Sequence, residues 1–346
     1  MVLNNVCSSD ASLRDIVLFL IYLVLFLVFV FIAATERARK RSHRHPAGKV
    51  PISVNYHFTR RCNKSCGFCF HTATTSYIEP LSRQKQALRL LAEAGMRKLN
   101  FAGGEPFLYP KPLGEMITFC KRELHLESVS IVTNGSLVRE DFLRRHAGEL
   151  DILAVSCDSF DEDTNVKIGR GSGDQVRKLY AIAGWCRKYG VAFKINTVVN
   201  KLNVAEDMNG HIERLQPFRW KCFQVLIIEG ENDSETGGTL RNGHKFTISD
   251  EEFEGFCKRH AGQECLVPEP NRLMAKSYLI LDEYLRFLDG AGKQPSKSIL
   301  EVGVEEALES VFWDEDAFME RGGLYDWAMP EGEKGSCAGV AKDVDW

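Results

Sequence analysis

The sequence predicts an α/β fold in which a parallel sheet curls into a full or partial barrel. From Lys49 onward, six short β-rich runs are each followed by a helical run or a loop. Alternation of this kind is typical of parallel sheets whose crossover connections are helices. A second observation is that unusual motifs follow the strand candidates directly. In barrels of this class the loops at the carboxyl ends of the strands hold the active site.

The elements follow from hydrophobic periodicity and from helix stop signals such as Gly95. The strand candidates are residues 50–58, 97–103, 127–135, 151–158, 191–199 and 220–230. The helix candidates are residues 82–95, 113–124, 137–150, 175–190 and 205–216. We therefore predict a barrel over residues 49–230 and a C-terminal extension over residues 231–346 that completes the ligand pocket. The extension begins with residues 231–247, whose glycines and asparagines indicate a flexible loop.

Composition bounds the class of protein. The 346 residues are 44% apolar and 26% charged, as in globular proteins, and the net charge of −3 gives no global attraction to nucleic acid. Eleven cysteines, an odd count, argue against a disulfide scaffold and for a reducing compartment. Most of them lie in apolar patterns and are expected to be small buried residues: Cys120, Cys157, Cys186, Cys222, Cys257 and Cys265.

The N-terminal region, residues 1–48, is predicted to be a membrane anchor followed by a basic linker. Residues 16–34 carry no charge, and 19 residues are enough for a helix to cross about 30 Å of hydrocarbon. Basic residues follow this segment, which places residues 36 onward in the cytosol under the positive-inside rule. The alternative is a cleaved signal peptide, whose apolar core is normally shorter and preceded by positive charge.

Three cysteines follow the first strand candidate: Cys62, Cys66 and Cys69. Their spacing lets one tight loop direct three thiolates at a common point, and thiolates select iron–sulfur clusters, zinc or copper(I). A structural zinc site requires four ligands, and His71 is too close to Cys69 to be a usual fourth. A [4Fe–4S] cluster held by three cysteines instead leaves one iron open for a ligand.

This spacing, with Phe68 before the last cysteine, resembles the signature of the radical S-adenosylmethionine (SAM) superfamily. Gly103, Gly104 and Glu105 close the second strand in a "GGEP" sequence similar to the family's loop for the methionine amino group. Two glycines allow close backbone approach, and a carboxylate can accept from an ammonium. The resemblance implies a partial (β/α)6-type barrel, a [4Fe–4S] cluster on the three cysteines, SAM at its open iron, and an external electron donor.

Longer segments resemble the viperin family of antiviral nucleotide dehydratases, which are lyases. They include "NYHFTRRCNKSCGFCFHTATTS", "CDSFDE", "LIIEGEN" and "PSKSILEVGVEEA", and the likeness extends from about residue 50 to the C-terminus. The resemblance implies that a 5′-deoxyadenosyl radical removes H4′ of cytidine triphosphate (CTP) and that the 3′ hydroxyl leaves, giving the 3′-deoxy-3′,4′-didehydro nucleotide. Alternatives are another triphosphate (UTP or GTP), a peptide substrate, or a membrane-anchored antiviral adaptor without enzymatic activity.

The substrate side can also be interpreted from the residues. A nucleoside triphosphate carries roughly four negative charges and needs cations on rigid elements. Lys194 and Lys221 lie within apolar strands, where the alternative is a lysine that extends to water from a strand end. The resemblance assigns substrate contacts to Lys98, Lys194, Asn196, Arg219, Lys221 and Tyr278, the last also as a late proton donor.

Three further residues are candidates for SAM binding, two of them through the resemblance. Ser156 and Arg170 match positions that hold the ribose and the methionine carboxylate, and an arginine fork suits a carboxylate. Asn134 ends the third strand candidate, where a plain turn is the alternative.

Both termini have implied partners. The resemblance implies that the cytosolic iron–sulfur assembly machinery reads the C-terminal tail, including Trp346. It also implies the endoplasmic reticulum membrane, with the catalytic domain in the cytosol, or lipid droplets. The apolar segment 16–34 departs from the amphipathic helix expected of vertebrate family members.

Overall fold

The computed structural model describes residues 49–235 and 237–322, which form a parallel sheet curled into a half-barrel. Its strands are β1 (Ser53–His57), β2 (Lys98–Ala102), β3 (Ser128–Thr133), β4 (Ile152–Ser156), β5 (Ala192–Val199), β6 (Arg219–Gln224), β7 (Leu266–Glu269) and β8 (Ile280–Leu281). The order across the sheet is β7-β6-β5-β4-β3-β2-β1-β8. The parallel, curled sheet predicted from the sequence is confirmed.

Most of the helices pack on the convex side of the sheet. They are α1 (Leu81–Glu93), α2 (Pro110–Arg122), α3 (Glu140–His146), α4 (Glu162–Ile168), α5 (Gln175–Tyr189), α6 (Asn209–Leu215), α7 (Asp250–Arg259), α8 (Asn271–Met274), α9 (Ile299–Val302), α10 (Val304–Glu309) and α11 (Glu315–Glu320). Short 3-10 turns cover Pro106–Leu108 and Gly243–Phe246. The apolar face of the sheet and most of these helices form the main hydrophobic core, to which α4 and α8 contribute no residue.

The period of two along each strand separates an apolar face from a polar one. In β2, Leu99 and Phe101 are fully buried in the core, whereas Lys98 and Asn100 alternate with them and face the concave side. Asn100 donates to Asn55 of β1 at 2.8 Å. The concave face is therefore polar, which suits a ligand pocket rather than a packed core.

The sheet has eight strands, whereas the sequence pattern predicts six. The two additional strands come from the C-terminal extension: β7 pairs with β6 at one edge, and β8 pairs with β1 at the other. They contain four and two residues, too few for a recognisable alternation. The extension is thus part of the barrel sheet.

Some other elements differ from the sequence prediction. The helices predicted over 137–150 and 205–216 are shorter, at Glu140–His146 and Asn209–Leu215, and α4 was not predicted. In the predicted flexible loop 231–247, Asn232 is fully buried. The cysteines that were predicted to be buried are buried except Cys257, which is partly exposed.

The predictions for the termini fall outside the described residues. This applies to segment 16–34, to the basic linker and to Trp346. Within residues 49–235 and 237–322, no helix has both the length and the apolar character needed to cross a membrane.

Candidate active site

The cysteine-bearing loop follows β1 and lies against loops that follow β2 and α4. The amide of Gly104 donates to the carbonyl of Thr59 at 2.7 Å, and the amide of Glu105 donates to Arg61 at 2.8 Å. On the other side, the amide of Ser65 donates to the carbonyl of Gly169 at 3.0 Å. Backbone hydrogen bonds thus hold the loop from both sides at the carboxyl edge of the sheet.

The three predicted cysteines are free thiols in this loop. Cys66 is 9% exposed, and Cys62 and Cys69 are partly exposed. Two donors point at the sulfur of Cys62: the amide of Lys64 at 3.4 Å and the side-chain amide of Asn134 at 3.8 Å. Donors of this kind stabilise thiolate character.

Burial raises the pKa of all three thiols, to about 12 at Cys66. A thiolate at this site therefore needs a positive partner, and a metal centre supplies one as it displaces the protons. Three soft ligands on one loop, with amide donors beside them, form a donor set that fits an iron–sulfur cluster.

Glu105 is fully buried and joins the ends of β2 and β3. Its carboxylate accepts from the amide of Phe107 at 2.9 Å, from the hydroxyl of Thr133 at 2.7 Å and from the amide of Asn134 at 2.7 Å. Burial raises its pKa, and these three donors oppose that effect. The carboxylate thus orients the Asn134 loop beside Cys62.

The two predicted cofactor glycines make a backbone contact that larger residues would prevent. A Cβ on Gly104 would lie 2.0 Å from the carbonyl oxygen of Arg61, and one on Gly103 would lie 2.3 Å from that of Thr59. Gly103 also has a φ of +131°. In this structure, the two glycines allow the loop after β2 to pack on the cysteine loop.

The remaining predicted cofactor residues lie around the same loop. Arg170 is buried and paired with the buried carboxylate of Asp158, and its guanidinium lies 6.0 Å from the ring centre of Phe68. Gln175 donates from one side-chain amide to the carbonyls of Asn134 at 2.9 Å and of Ser156 at 3.0 Å. Asp158 and Gln175 were not predicted.

The predicted phosphate residues share the concave face. Lys194 of β5 is paired in register with Arg219 of β6, and Asn196 with Lys221. Lys98 occupies the corresponding face of β2, and its positive charge contributes to lowering the pKa of Lys194. The structure therefore brings together the cations that the sequence places on separate strands.

The extension adds two charged groups to this face that were not predicted. Glu269, at the end of β7 and 1% exposed, pairs with Lys221, and Arg321 lies 3.8 Å from the same carboxylate. Tyr278 accepts from Lys221 at 3.1 Å and donates to Glu269 at 3.2 Å, and the Arg321 guanidinium stacks 3.9 Å from its ring centre. In the sequence, Glu269 could have been noticed only as an acidic residue that follows a short apolar run.

The electrostatics of this face are those of an anion site. Burial lowers the pKa of Lys194 well below its usual value, and the nearby charges of Lys221, Lys98 and Arg219 lower it further. Burial would raise the pKa of Glu269, but Lys221 and Arg321 outweigh it, so its pKa is lowered. Among these groups the positive charge exceeds the negative.

The comparisons with known proteins agree with this geometry. Residues 56–215 match a family model described as the radical SAM superfamily. A protein of Danio rerio named "S-adenosylmethionine-dependent nucleotide dehydratase RSAD2" is 56% identical over 288 residues, which cover 82% of this chain and 80% of the relative. An S-adenosylmethionine-dependent nucleotide dehydratase of Flammeovirga pacifica is 36% identical over 80% of this chain and 96% of the relative.

The chain belongs to the viperin family of radical SAM nucleotide dehydratases. It is an enzyme of this kind, and its cofactors are a [4Fe–4S] cluster and SAM. Solved structures support the fold of this family member. Streptococcus suis SuiB bound to S-adenosylmethionine has a TM-score of 0.58 at 16% identity, covering 79% of this chain and 68% of SuiB.

Proposed function

We propose that this family member converts CTP to 3′-deoxy-3′,4′-didehydro-CTP in antiviral defence. The observation that supports it best is the concave face, where Lys98, Lys194, Arg219 and Lys221 lie on strands of the sheet whose first strand leads into the cysteine loop. Charge-assisted hydrogen bonds from rigid cations are the means by which proteins hold phosphates. In this proposal the triphosphate binds to this face with its sugar toward the loop that carries the cysteines.

The cofactor residues have separate tasks in this proposal. Cys62, Cys66 and Cys69 would hold the cluster, and the side chains around Asn134, Ser156 and Arg170 would hold SAM. When bound, the two cofactors supply one-electron cleavage of the sulfonium and a 5′-deoxyadenosyl radical that takes H4′. The protein binds, aims and shields the reactants.

The residues beside the sugar would handle the proton. Tyr278 donates to Glu269 and accepts from Lys221, so its hydroxyl is held at a fixed position by two charged groups. Burial raises the pKa of Tyr278, as does the carboxylate of Glu269, so the hydroxyl keeps its proton at neutral pH. In the proposed reaction it gives this proton to the 3′ hydroxyl as that group leaves as water, and one further electron from the external donor completes the alkene.

A nucleotide screen tests the substrate. The reconstituted, reduced enzyme is incubated with SAM and each of CTP, UTP, GTP and ATP, and 5′-deoxyadenosine and the didehydro nucleotide are quantified together. We expect CTP to give the fastest release with matching product. Faster coupled turnover of another triphosphate would replace CTP in the proposal. The Cys66→Ala variant, which should lose the cluster and 5′-deoxyadenosine release together, is the control.

We also propose that residues 16–34 anchor the chain to the endoplasmic reticulum with the enzyme in the cytosol, and that the tail with Trp346 recruits the cytosolic iron–sulfur assembly machinery. The apolar length and the basic residues that follow it support the first. Deleting Trp346 should lower cluster content in cells but leave chemical reconstitution intact. Equal cellular cluster content would contradict the second proposal.

A further inference from the structure

Two adjacent residues of the C-terminal extension, Glu231 and Asn232, contact the cysteine loop at both its flanks and its centre. We call this pair the clasp. Before the first cysteine, Arg60 donates to Glu231 at 2.7 Å. After the last cysteine, the amide and the hydroxyl of Thr72 each donate to the other carboxylate oxygen of Glu231 at 2.8 Å. One carboxylate therefore joins the two ends of the loop.

Asn232 holds the middle of the same loop. It is fully buried, and its side-chain amide donates to the carbonyl of Phe68 at 2.9 Å and to that of Leu226 at 3.0 Å. Its side-chain oxygen accepts from the amide of Ile228 at 2.7 Å. Asn232 thus links the cysteine loop, through the carbonyl of Phe68, to the segment that leaves β6.

A later residue of the extension, Phe246, also packs against the cysteine loop. A Cβ on Gly67 would lie 2.3 Å from the ring of Phe246, which also meets Phe68 edge to face at 5.5 Å. Arg60 has a second carboxylate partner, Glu283, at 3.0 Å, and its side chain is 11% exposed. Nearly buried charges with two partners hold a fixed geometry better than exposed pairs do.

We infer that the clasp positions the cysteine loop for its cluster, so that the retention and the reduction potential of the cluster depend on the extension. The inference rests on the cluster that family membership establishes and not on the identity of the nucleotide. Residues that orient metal ligands typically change metal affinity about 10- to 100-fold when they are altered. Glu231 and Asn232 are positioning residues in this sense, because they contact the loop and not the thiols.

The clasp also follows β6, which carries two of the proposed phosphate ligands, closely in the sequence. It begins seven residues after the end of β6 at Gln224, and β6 carries Arg219 and Lys221. The same short segment therefore leaves the anion-binding strand and then holds the cysteine loop. A disturbance of the clasp should reach the cluster without removing any cluster ligand or phosphate ligand.

The test uses the full chain with Glu231→Gln and Thr72→Val, which remove one charge and one donor while the shapes are retained. The matched control is Glu127→Gln, which weakens an ion pair with Arg97 on the exposed surface. Each protein is reconstituted anaerobically, and four properties are measured: iron and sulfide content, the rate of iron loss to a chelator, the electron paramagnetic resonance spectrum and midpoint potential of the cluster, and the melting temperature of the apoprotein.

We expect Glu231→Gln to lose iron about tenfold faster than wild type and to shift the spectrum and the potential, with a smaller change for Thr72→Val and none for Glu127→Gln. Glu231→Asp, which keeps the charge, should recover part of the loss. Wild-type iron loss, spectrum and potential in Glu231→Gln would overturn the inference, even if the apoprotein melted earlier. If Glu231→Gln does not fold, the same readouts on Thr72→Val decide.

Discussion

At the scale of single residues, we expect Lys194 to couple nucleotide binding to protonation. Burial and three neighbouring cations lower its pKa in the free enzyme, whereas a bound phosphate favours the ammonium. Above the lowered pKa, binding must therefore take up a proton, so affinity should fall as pH rises until the pKa of the complex is passed. Calorimetry in buffers of different ionisation heat should show proton uptake in wild type and little or none in Lys194→Met.

The same substitution should remove one of the proposed phosphate contacts. A hydrogen bond to a charged group contributes about 1.5–3 kcal/mol, so CTP binding should weaken roughly 10- to 100-fold. Lys258→Met, on the exposed side of α7, is the control and should bind as wild type does. Unchanged affinity in Lys194→Met would remove this lysine from the proposed phosphate site.

Site residues could be predicted where their sequence neighbours alone indicated their chemistry. Three cysteines within eight positions and two lysines inside apolar strands are visible without a fold. Glu269 and Arg321 were not predicted, because Glu269 reaches Lys221 only through the pairing of β7 with β6, and Arg321 reaches Tyr278 from the end of α11. The hydrogen bonds of Glu105 also could not be predicted from the sequence, since they depend on how closely the loops after β2 and β3 approach each other.

At the scale of elements, the contact between the loops after β1 and β2 depends on a missing side chain. Gly104→Ala places a Cβ 2.0 Å from a backbone oxygen of Arg61, and backbone cannot move aside cheaply. We expect the loops to separate and the reconstituted iron content to fall well below wild type. Gly148→Ala is the control because nothing lies within 4 Å of its added Cβ.

A Gly104→Ala protein with wild-type iron content and SAM binding would show that this close packing is dispensable.

Helices and strands could be predicted from the sequence when they were long. The six central strands and the helices after them have clear periods, whereas α4 depends on a cap, in which Asp161 accepts from the amide of Thr164 at 2.7 Å. The strands β7 and β8 exist because a neighbouring strand offers hydrogen-bonding groups, which no local pattern reveals.

At the scale of the whole molecule, the extension is inseparable from the barrel. It supplies the strands at both edges of the sheet, the carboxylate of Glu269 within the pocket, and the clasp on the cysteine loop. It also contributes buried aromatic residues to the main core, among them Phe256, whose ring lies 6.0 Å from that of Trp220. A fold of this kind should unfold as one cooperative unit.

A chain that ends after Gly230 should therefore fail to form a native state. Its sheet would expose unpaired groups on β6 and β1, which favour aggregation, and Trp220 would lose its cover. We expect an insoluble or loosely packed product without a cooperative melting transition or near-ultraviolet circular dichroism. A chain that ends after Gly322 retains every described strand and should melt cooperatively. If the shorter chain also melted cooperatively near the temperature of the longer one, the barrel would be independent of its extension, and the eight-stranded sheet would not be the folding unit.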